Sequence, residues 1–153
     1  MYQKILVPVD GSPTSTLGLT EAVRLAGVTG ARLHLLHVVD VLSLAIAGEG
    51  YTGASVDLLA AVREGGEGIL AAARQTVEAA GVPVDASLLE NTAGRVAELI
   101  ADEALRWGAD LIVLGTHGRR GVGRLMLGSD AEQLLRIAPV PVLLVRDRNA
   151  RRG

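Results

Sequence analysis

Short apolar runs alternate with helix-like segments along the whole chain, and this alternation is what most constrains the fold. Ile5–Val9 is typical of a buried strand, and Asp10-Gly11 stops it. Ser12 and Pro13 then suit the N-cap and the first position of a helix. Strands are predicted at residues 5–9, 31–39, 84–89, 111–114 and 140–145, and helices from residue 13 to residues 27–30 and over residues 55–80, 92–107 and 129–138.

Glycines and alternating residues refine this pattern. Residues 42–54 are predicted to form a loop, and Gly65, Gly66 and Gly68 predict a kink or a late start in the helix that follows. Asn91 or Thr92 is expected to cap the next helix, which ends near Trp107. The alternation of apolar and polar residues over 84–89 predicts a half-exposed edge strand.

The order of these elements predicts an α/β fold in a single domain. Strands that alternate with helices indicate a parallel, doubly wound, Rossmann-like sheet, here of five strands in the order 3-2-1-4-5. Residues 1–147 would form this domain, and residues 148–153 a flexible basic tail. Ligands bind such sheets beyond the carboxyl ends of the strands, where the strand order reverses. That rule brings together Asp10, after strand 1, and Gly115, after strand 4.

A spaced glycine motif follows the fourth predicted strand. Gly115-Thr-His-Gly118 precedes nine residues and then Gly128-Ser129, where a helix is predicted to begin. Glycine lets backbone N–H groups approach an anion, and a helix start offers unpaired donors and a partial positive charge. Ser129 could equally be an ordinary N-cap, and Asp10 could form only an Asx turn with Gly11 and Ser12.

Two common phosphate motifs do not fit this loop. The segment Gly123–Ser129 lacks the lysine of a P-loop, and Lys4 is the only lysine in the chain. The dinucleotide fingerprint fails because Gly121-Val-Gly123 is followed by Met126 where glycine is required. A nicotinamide or flavin enzyme is therefore disfavoured.

The remaining pattern resembles the ATP-binding branch of the universal stress protein family. The opening Lys4–Ser12, the glycine motif and the closing Ala138–Arg146 carry the resemblance, which covers nearly the whole chain. It implies a five-stranded parallel α/β sheet, a homodimer and a bound adenine nucleotide, with ATP preferred to AMP or ADP. Position by position, it implies that the nucleotide is bound by Pro8, Val9, Asp10, Val38, Val39, Leu114, Gly115, Gly118, Arg119, Gly128 and Ser129.

The resemblance also implies roles for a metal and a partner. Asp10 would contact the nucleotide directly or through Mg²⁺ or Mn²⁺. The last strand, Val140–Val145, would pair with a second copy, since an exposed apolar edge invites strand pairing. Asp130 departs from the family, which commonly has a small apolar residue there. Its carboxylate would repel a phosphate, and Arg119, Arg120 and Arg124 could offset that repulsion.

Composition limits the partners and the compartment. A net charge of −2 without long charged blocks gives no reason to expect nucleic-acid binding. The chain has no cysteine, no apolar run long enough to span a membrane and no recognisable signal peptide, so a cytoplasmic protein is expected.

Three functions remain open at this point. The leading hypothesis is regulatory binding of adenine nucleotide in a stress response, without fast catalysis. The alternatives are a slow ATPase or autophosphorylating protein that uses Asp10, and an interaction protein that binds no nucleotide. His34 and His37 are predicted on opposite faces of one strand, which disfavours a shared metal site. Trp107 is interpreted as a packing residue, and His117 as a loop residue.

Overall fold

An all-parallel sheet of five strands lies at the centre of the computed structural model, which describes residues 1–47, 52–116 and 128–151. Its order, β3-β2-β1-β4-β5, confirms the predicted α/β fold and strand order. The strands are β1 (Lys4–Pro8), β2 (Arg32–Val39), β3 (Val84–Glu90), β4 (Leu111–Gly115) and β5 (Val142–Val145). The helices are α1 (Pro13–Thr29), α2 (Val41–Ala47), α3 (Thr52–Ala79), α4 (Val96–Trp107) and α5 (Ser129–Ile137), and a 3-10 helix follows at Arg148–Arg151.

Alternate residues of the strands point to two separate apolar layers. Leu33 and Leu35 of β2 pack with α1 and α3 on one face of the sheet. Leu36, the residue directly after Leu35, packs with α4 and α5 on the other face of the sheet. This alternation follows from the two-residue period of a strand, and it covers both faces of the sheet with helices.

Helix α1 begins and ends as its sequence predicts. The Ser12 Oγ accepts a hydrogen bond from the Ser15 N–H at 3.1 Å, and Pro13 occupies the first helical position. At the other end Gly30 has φ 74°, and its N–H donates to the Ala26 carbonyl at 2.8 Å. A left-handed residue at this position is most easily glycine, so the helix ends here.

The helix prediction was wrong in two places before β3. Residues 42–47 of the predicted loop belong to α2, and α3 begins at Thr52, so it does not start late at the glycines. Gly66 is instead used for packing, because a Cβ there would lie 2.6 Å from the His37 ring and 3.0 Å from Leu88. The tertiary contacts of α3 thus outweigh the low helix propensity of its glycines.

Helix α4 begins later than predicted. Its N-cap is Arg95, whose N–H donates to the Glu98 Oε2 at 3.3 Å, so neither Asn91 nor Thr92 caps it. The Asn91 amide donates to the Asp40 Oδ1 at 3.0 Å and to the Gly94 carbonyl at 3.3 Å. A long-range partner therefore holds the residue that was expected to act as a local cap.

The described helices also bear on membrane insertion. None of those in residues 1–47, 52–116 and 128–151 combines the length and the apolar character that a membrane-spanning helix requires.

Candidate functional site

A cavity of about 320 Å³ opens at the carboxyl ends of β1, β2 and β4. The N-termini of α1 and α5 border it, and the strand order reverses beside it, between β1 and β4. Both its place and its volume are typical of small-ligand sites in doubly wound sheets. Its lining consists of Pro8, Val9, Asp10, Ser12, Thr14, Ser15, Leu36, His37, Val38, Asp40, Val96, Ile100, Leu114, Gly115, Thr116, Gly128, Ser129, Asp130 and Ala131.

Most of the residues selected from the sequence meet at this cavity. Val39 does not line it: this side chain is 1% exposed and lies on the strand face opposite to that of Val38. Gly118 and Arg119 lie outside the described residues. The selected residues that do line the cavity are Pro8, Val9, Asp10, Val38, Leu114, Gly115, Gly128 and Ser129.

The turn after β1 is fixed by hydrogen bonds among its own residues. The Asp10 Oδ1 accepts from the Ser12 N–H at 2.8 Å, and the Asp10 N–H donates to the Ser15 Oγ at 3.1 Å. Gly11 between them has φ 80°. Asp10 thus forms the Asx turn that the sequence allowed, and this turn holds its carboxylate at the edge of the cavity.

Gly115 has a structural reason to be glycine. A Cβ at this position would lie 1.7 Å from the Thr14 carbonyl oxygen, so any side chain would collide with the first turn of α1. Gly18 is equally constrained, since its Cβ would lie 2.6 Å from the Gly115 nitrogen. This close approach places the start of α1 directly against the end of β4, and it is what brings the two halves of the cavity together.

Asp40, at the end of β2, contributes a carboxylate that the sequence reasoning missed. Its Oδ2 accepts from the Ser43 Oγ at 2.6 Å, and its Oδ1 accepts from the Asn91 amide at 3.0 Å. The Ser43 hydrogen bond lowers the pKa of the Asp40 carboxyl, partly opposed by burial. The rule that selected Asp10 would also have found Asp40, because both polar residues directly follow a parallel strand at the same edge.

The start of α5 has different chemistry. Gly128 is its N-cap and Ser129 its first residue, so the alternative that Ser129 is an ordinary N-cap does not hold. No side-chain hydrogen bond caps this end. Partial burial raises the pKa of the Asp130 carboxyl, and the negative charges of Asp40 and Asp10 raise it further.

His37 joins the cavity to helix α3. Its Nδ1 lies 2.7 Å from the Val9 carbonyl oxygen, which can only accept, so Nδ1 carries the proton. The other edge of the ring packs against Gly66. Thr14, Ser15 and Thr116 are further lining residues that the sequence reasoning did not select. The hydroxyls of the first α1 turn could have been found from the rule that helix N-termini face this edge.

His34 faces the opposite side of the sheet, as its spacing from His37 predicted. Its Nε2 lies 3.0 Å from the Glu103 Oε1, and its ring stacks on Trp107 with centroids 5.0 Å apart. Burial lowers the pKa of His34, and the nearby Glu103 charge partly opposes this shift. Trp107 is therefore a packing residue, as interpreted from the sequence.

The structure does not provide a protein-only metal cage in its described parts. Among residues 1–47, 52–116 and 128–151, no three or more His, Cys, Asp or Glu side chains are arranged to hold a metal ion. Asp10 as a ligand of a nucleotide-bound metal stays a prediction.

Comparison with known proteins agrees with this architecture. The family model described as the universal stress protein family matches residues 1–146. The chain belongs to the universal stress protein family. It is 35% identical over 147 residues to universal stress protein MJ0531 of Methanocaldococcus jannaschii, with 95% of this chain and 83% of that protein covered.

Two solved structures extend the comparison to three dimensions. A universal stress protein family member from Burkholderia pseudomallei is 37% identical with a TM-score of 0.76, covering 94% of this chain and 96% of that one. MJ0577 of Methanocaldococcus jannaschii is 26% identical with a TM-score of 0.81, covering 97% and 99%. These likenesses confirm the universal stress protein fold.

More distant structures of the same fold contain ligands. A universal stress protein solved in complex with cAMP is 23% identical with a TM-score of 0.67, covering 95% of this chain and 97% of that one. A family protein from Arabidopsis thaliana solved with AMP bound is 16% identical with a TM-score of 0.70, covering 99% and 95%. Related structures therefore bind adenine nucleotides.

Proposed function

We propose that this universal stress protein binds an adenine nucleotide in the cavity at the ends of β1, β2 and β4, and that binding serves a regulatory role in a stress response. The observation that carries the proposal is the cavity itself. It lies at the topological switch point, has the volume of a small-ligand site and is bordered by the N-termini of two helices.

The lining offers different chemistry at its two sides. Leu36, Val38 and Ile100 provide an apolar wall that suits a flat, weakly polar base. Ser12 and Ser129, at the starts of α1 and α5, offer hydroxyls for polar ligand groups. The AMP and cAMP complexes of distant family members support the same choice of ligand class.

The direct test is the ligand content of the purified protein, followed by titration. The protein is denatured, its small molecules are separated by chromatography, and calorimetric titration with AMP and with ATP is then run on ligand-free protein. We expect an adenine nucleotide in the extract or heat on titration with at least one of the two. Neither signal at high protein concentration would contradict the proposed function.

A cavity-filling variant locates the binding. Ala131→Phe adds a ring to a cavity-lining position of α5, whereas Gln133→Phe adds the same ring two residues later at a position that does not line this cavity. We expect Ala131→Phe to weaken binding at least about tenfold and Gln133→Phe to bind like the wild type. Thermal unfolding by circular dichroism verifies that both variants are folded.

We propose regulatory binding in place of fast turnover, and a phosphate-release assay tests this choice. ATP hydrolysis faster than in an Asp10→Asn variant would instead support the slow-ATPase alternative, since Asp10 is the cavity carboxylate for which the family resemblance implies contact with a nucleotide-bound metal.

We further infer that two copies pair through β5. This strand is at the edge of the sheet, so its outer backbone groups have no partner strand within the described chain, and its Leu143 side chain is 38% exposed. Leu135 and Ile137 at the end of the adjacent α5 are exposed as well. A second copy would cover this apolar edge.

Light scattering coupled to size-exclusion chromatography tests the pairing. We expect a dimer for the wild type and a monomer for Leu143→Lys, because a charge on the edge strand opposes pairing. Leu105→Lys is the matched control, since Leu105 is 65% exposed and lies on α4, outside the edge strand. A monomeric wild type, or a dimeric Leu143→Lys, would argue against this interface.

A further inference from the structure

The charged groups at the cavity are all of one sign in the described residues. Its lining there contains three carboxylates, those of Asp10, Asp40 and Asp130, and neither a lysine nor an arginine. Asp130 is the second residue of α5, the helix whose N-terminus borders the cavity. A helix N-terminus alone would attract an anion, with an effective charge of about +0.5.

Asp130 opposes the attraction of the α5 N-terminus for an anion in the cavity. A full negative charge in the first turn outweighs the partial positive charge of the helix end. Asp40 and Asp10 act in the same direction, because their carboxylates line the same cavity as Asp130. The cavity therefore combines an apolar wall, which accepts a base, with a helix end that disfavours a highly charged phosphate chain.

We propose that Asp130 makes this site select adenine ligands by charge, so that adenosine and AMP are preferred to metal-free ATP. The inference rests on the proposed function, because it concerns the ligand class of the same cavity. The selection arises from repulsion, which grows with each phosphate charge brought near the carboxylate. It differs from the ATP preference that the family resemblance implied.

Asp130 and Glu132 form a matched pair for the test. Both are acidic residues in the first part of α5, but Asp130 lines the cavity whereas Glu132 pairs with Arg136 at 3.1 Å and does not line it. Asp130→Asn and Glu132→Gln each remove one negative charge at nearly constant volume. Asp130→Ser provides a second cavity variant with the same loss of charge, and thermal unfolding checks the fold of all three.

The experiment titrates adenosine, AMP and ATP into ligand-free wild type and each variant by calorimetry, with EDTA present. We expect Asp130→Asn and Asp130→Ser to raise ATP affinity by at least about tenfold, AMP affinity by less and adenosine affinity by less than about twofold. Glu132→Gln should leave the order of the three affinities as in the wild type.

The outcomes separate the two proposals. Equal changes for all three ligands, an unchanged ATP affinity, or the same gain in Glu132→Gln would overturn selection by Asp130 while adenosine or AMP binding upholds the proposed function. Absence of binding for all three ligands in every protein would overturn the proposed function, and charge selection with it.

Discussion

Two aspartates at the same cavity, Asp40 and Asp130, have opposite relations to the protein around them. Asp40 accepts hydrogen bonds from Ser43 and Asn91, and these bonds hold its pKa below the ordinary value. Asp130 receives no such bond from the described residues, and burial together with neighbouring carboxylates raises its pKa. One carboxylate stabilises the fold, whereas the other is disfavoured by its surroundings.

This difference indicates which charge is free to act on a ligand. The oxygens of Asp40 are occupied by the start of α2 and by Asn91, so Asp40 builds the cavity wall. Asp130 makes no such hydrogen bond among the described residues, and it lies in the first turn of α5, at a helix end suited to anions. An unfavourable charge at a binding cavity is the kind of local inconsistency that function, more often than stability, explains.

Removing the carboxyl group of Asp40 or of Asp130 should give the largest difference between the two residues, measured as the free energy of unfolding. Asp40→Ala should lower the free energy of unfolding by about 1–2 kcal/mol, because α2 loses its cap and the buried Asn91 amide loses an acceptor. Asp130→Ala should change it by less than about 0.5 kcal/mol. Urea unfolding of both variants measures the difference, and equal losses would show that the two aspartates are not distinct.

A double-mutant cycle sharpens the role assigned to Asp40. If Asp40 acts through Asn91, then Asp40→Ala and Asn91→Ala together should cost less than the sum of the single losses, with a coupling of about 0.5–1 kcal/mol. Ser12→Ala serves as the control partner, since Ser12 caps α1 and has no described bond to Asp40. If the losses in the free energy of unfolding from Asp40→Ala and Asn91→Ala are additive, the hydrogen bond between these residues does not account for the stabilising role of Asp40.

The pH dependence of stability gives a smaller contrast of opposite sign. Asp40 has a lowered pKa in the fold, so its stabilisation is complete above the ordinary value of 3.8 and is lost as the pH falls through the folded value. Asp130 has a raised pKa, so its favourable contribution exists below 3.8 and is lost as the pH rises through the folded value.

Asp40→Asn and Asp130→Asn isolate these contributions. At neutral pH, Asp40→Asn should be less stable than the wild type and Asp130→Asn slightly more stable, and both gaps should shrink as the pH falls below the ordinary aspartate value. Unfolding at pH 7 and near pH 3 measures them. Gaps of the same sign at neutral pH would contradict the opposite pKa directions.

The sequence predicted the sheet and the location of the cavity because both depend on pattern. Apolar periodicity and the alternation of strands with helices indicate a parallel, doubly wound sheet, and for the expected order 3-2-1-4-5 the switch-point rule brings Asp10 close to Gly115. For Gly115 the sequence predicted only that a glycine lets backbone N–H groups approach an anion. Its contact with the Thr14 carbonyl is a long-range packing constraint, which local sequence does not reveal.

The errors have the same physical origin. A period of two places Val38 and Val39 on opposite faces but does not say which face borders the cavity. Asn91 has the composition of a helix cap, yet its amide bonds to Asp40, a residue 51 positions away. In both cases the role of the residue depends on neighbours that are distant in sequence.

The most direct test of the account is a map of the nucleotide-binding residues by NMR. Backbone amide shifts of ¹⁵N-labelled protein are recorded as AMP is added to the ligand-free chain. We predict saturable shifts concentrated in residues 9–16, 36–40, 114–116 and 128–131, the segments that surround the cavity. An unchanged spectrum, or shifts centred on the groove between α1 and α3 near Ile69 and Ala72, would contradict the proposed site.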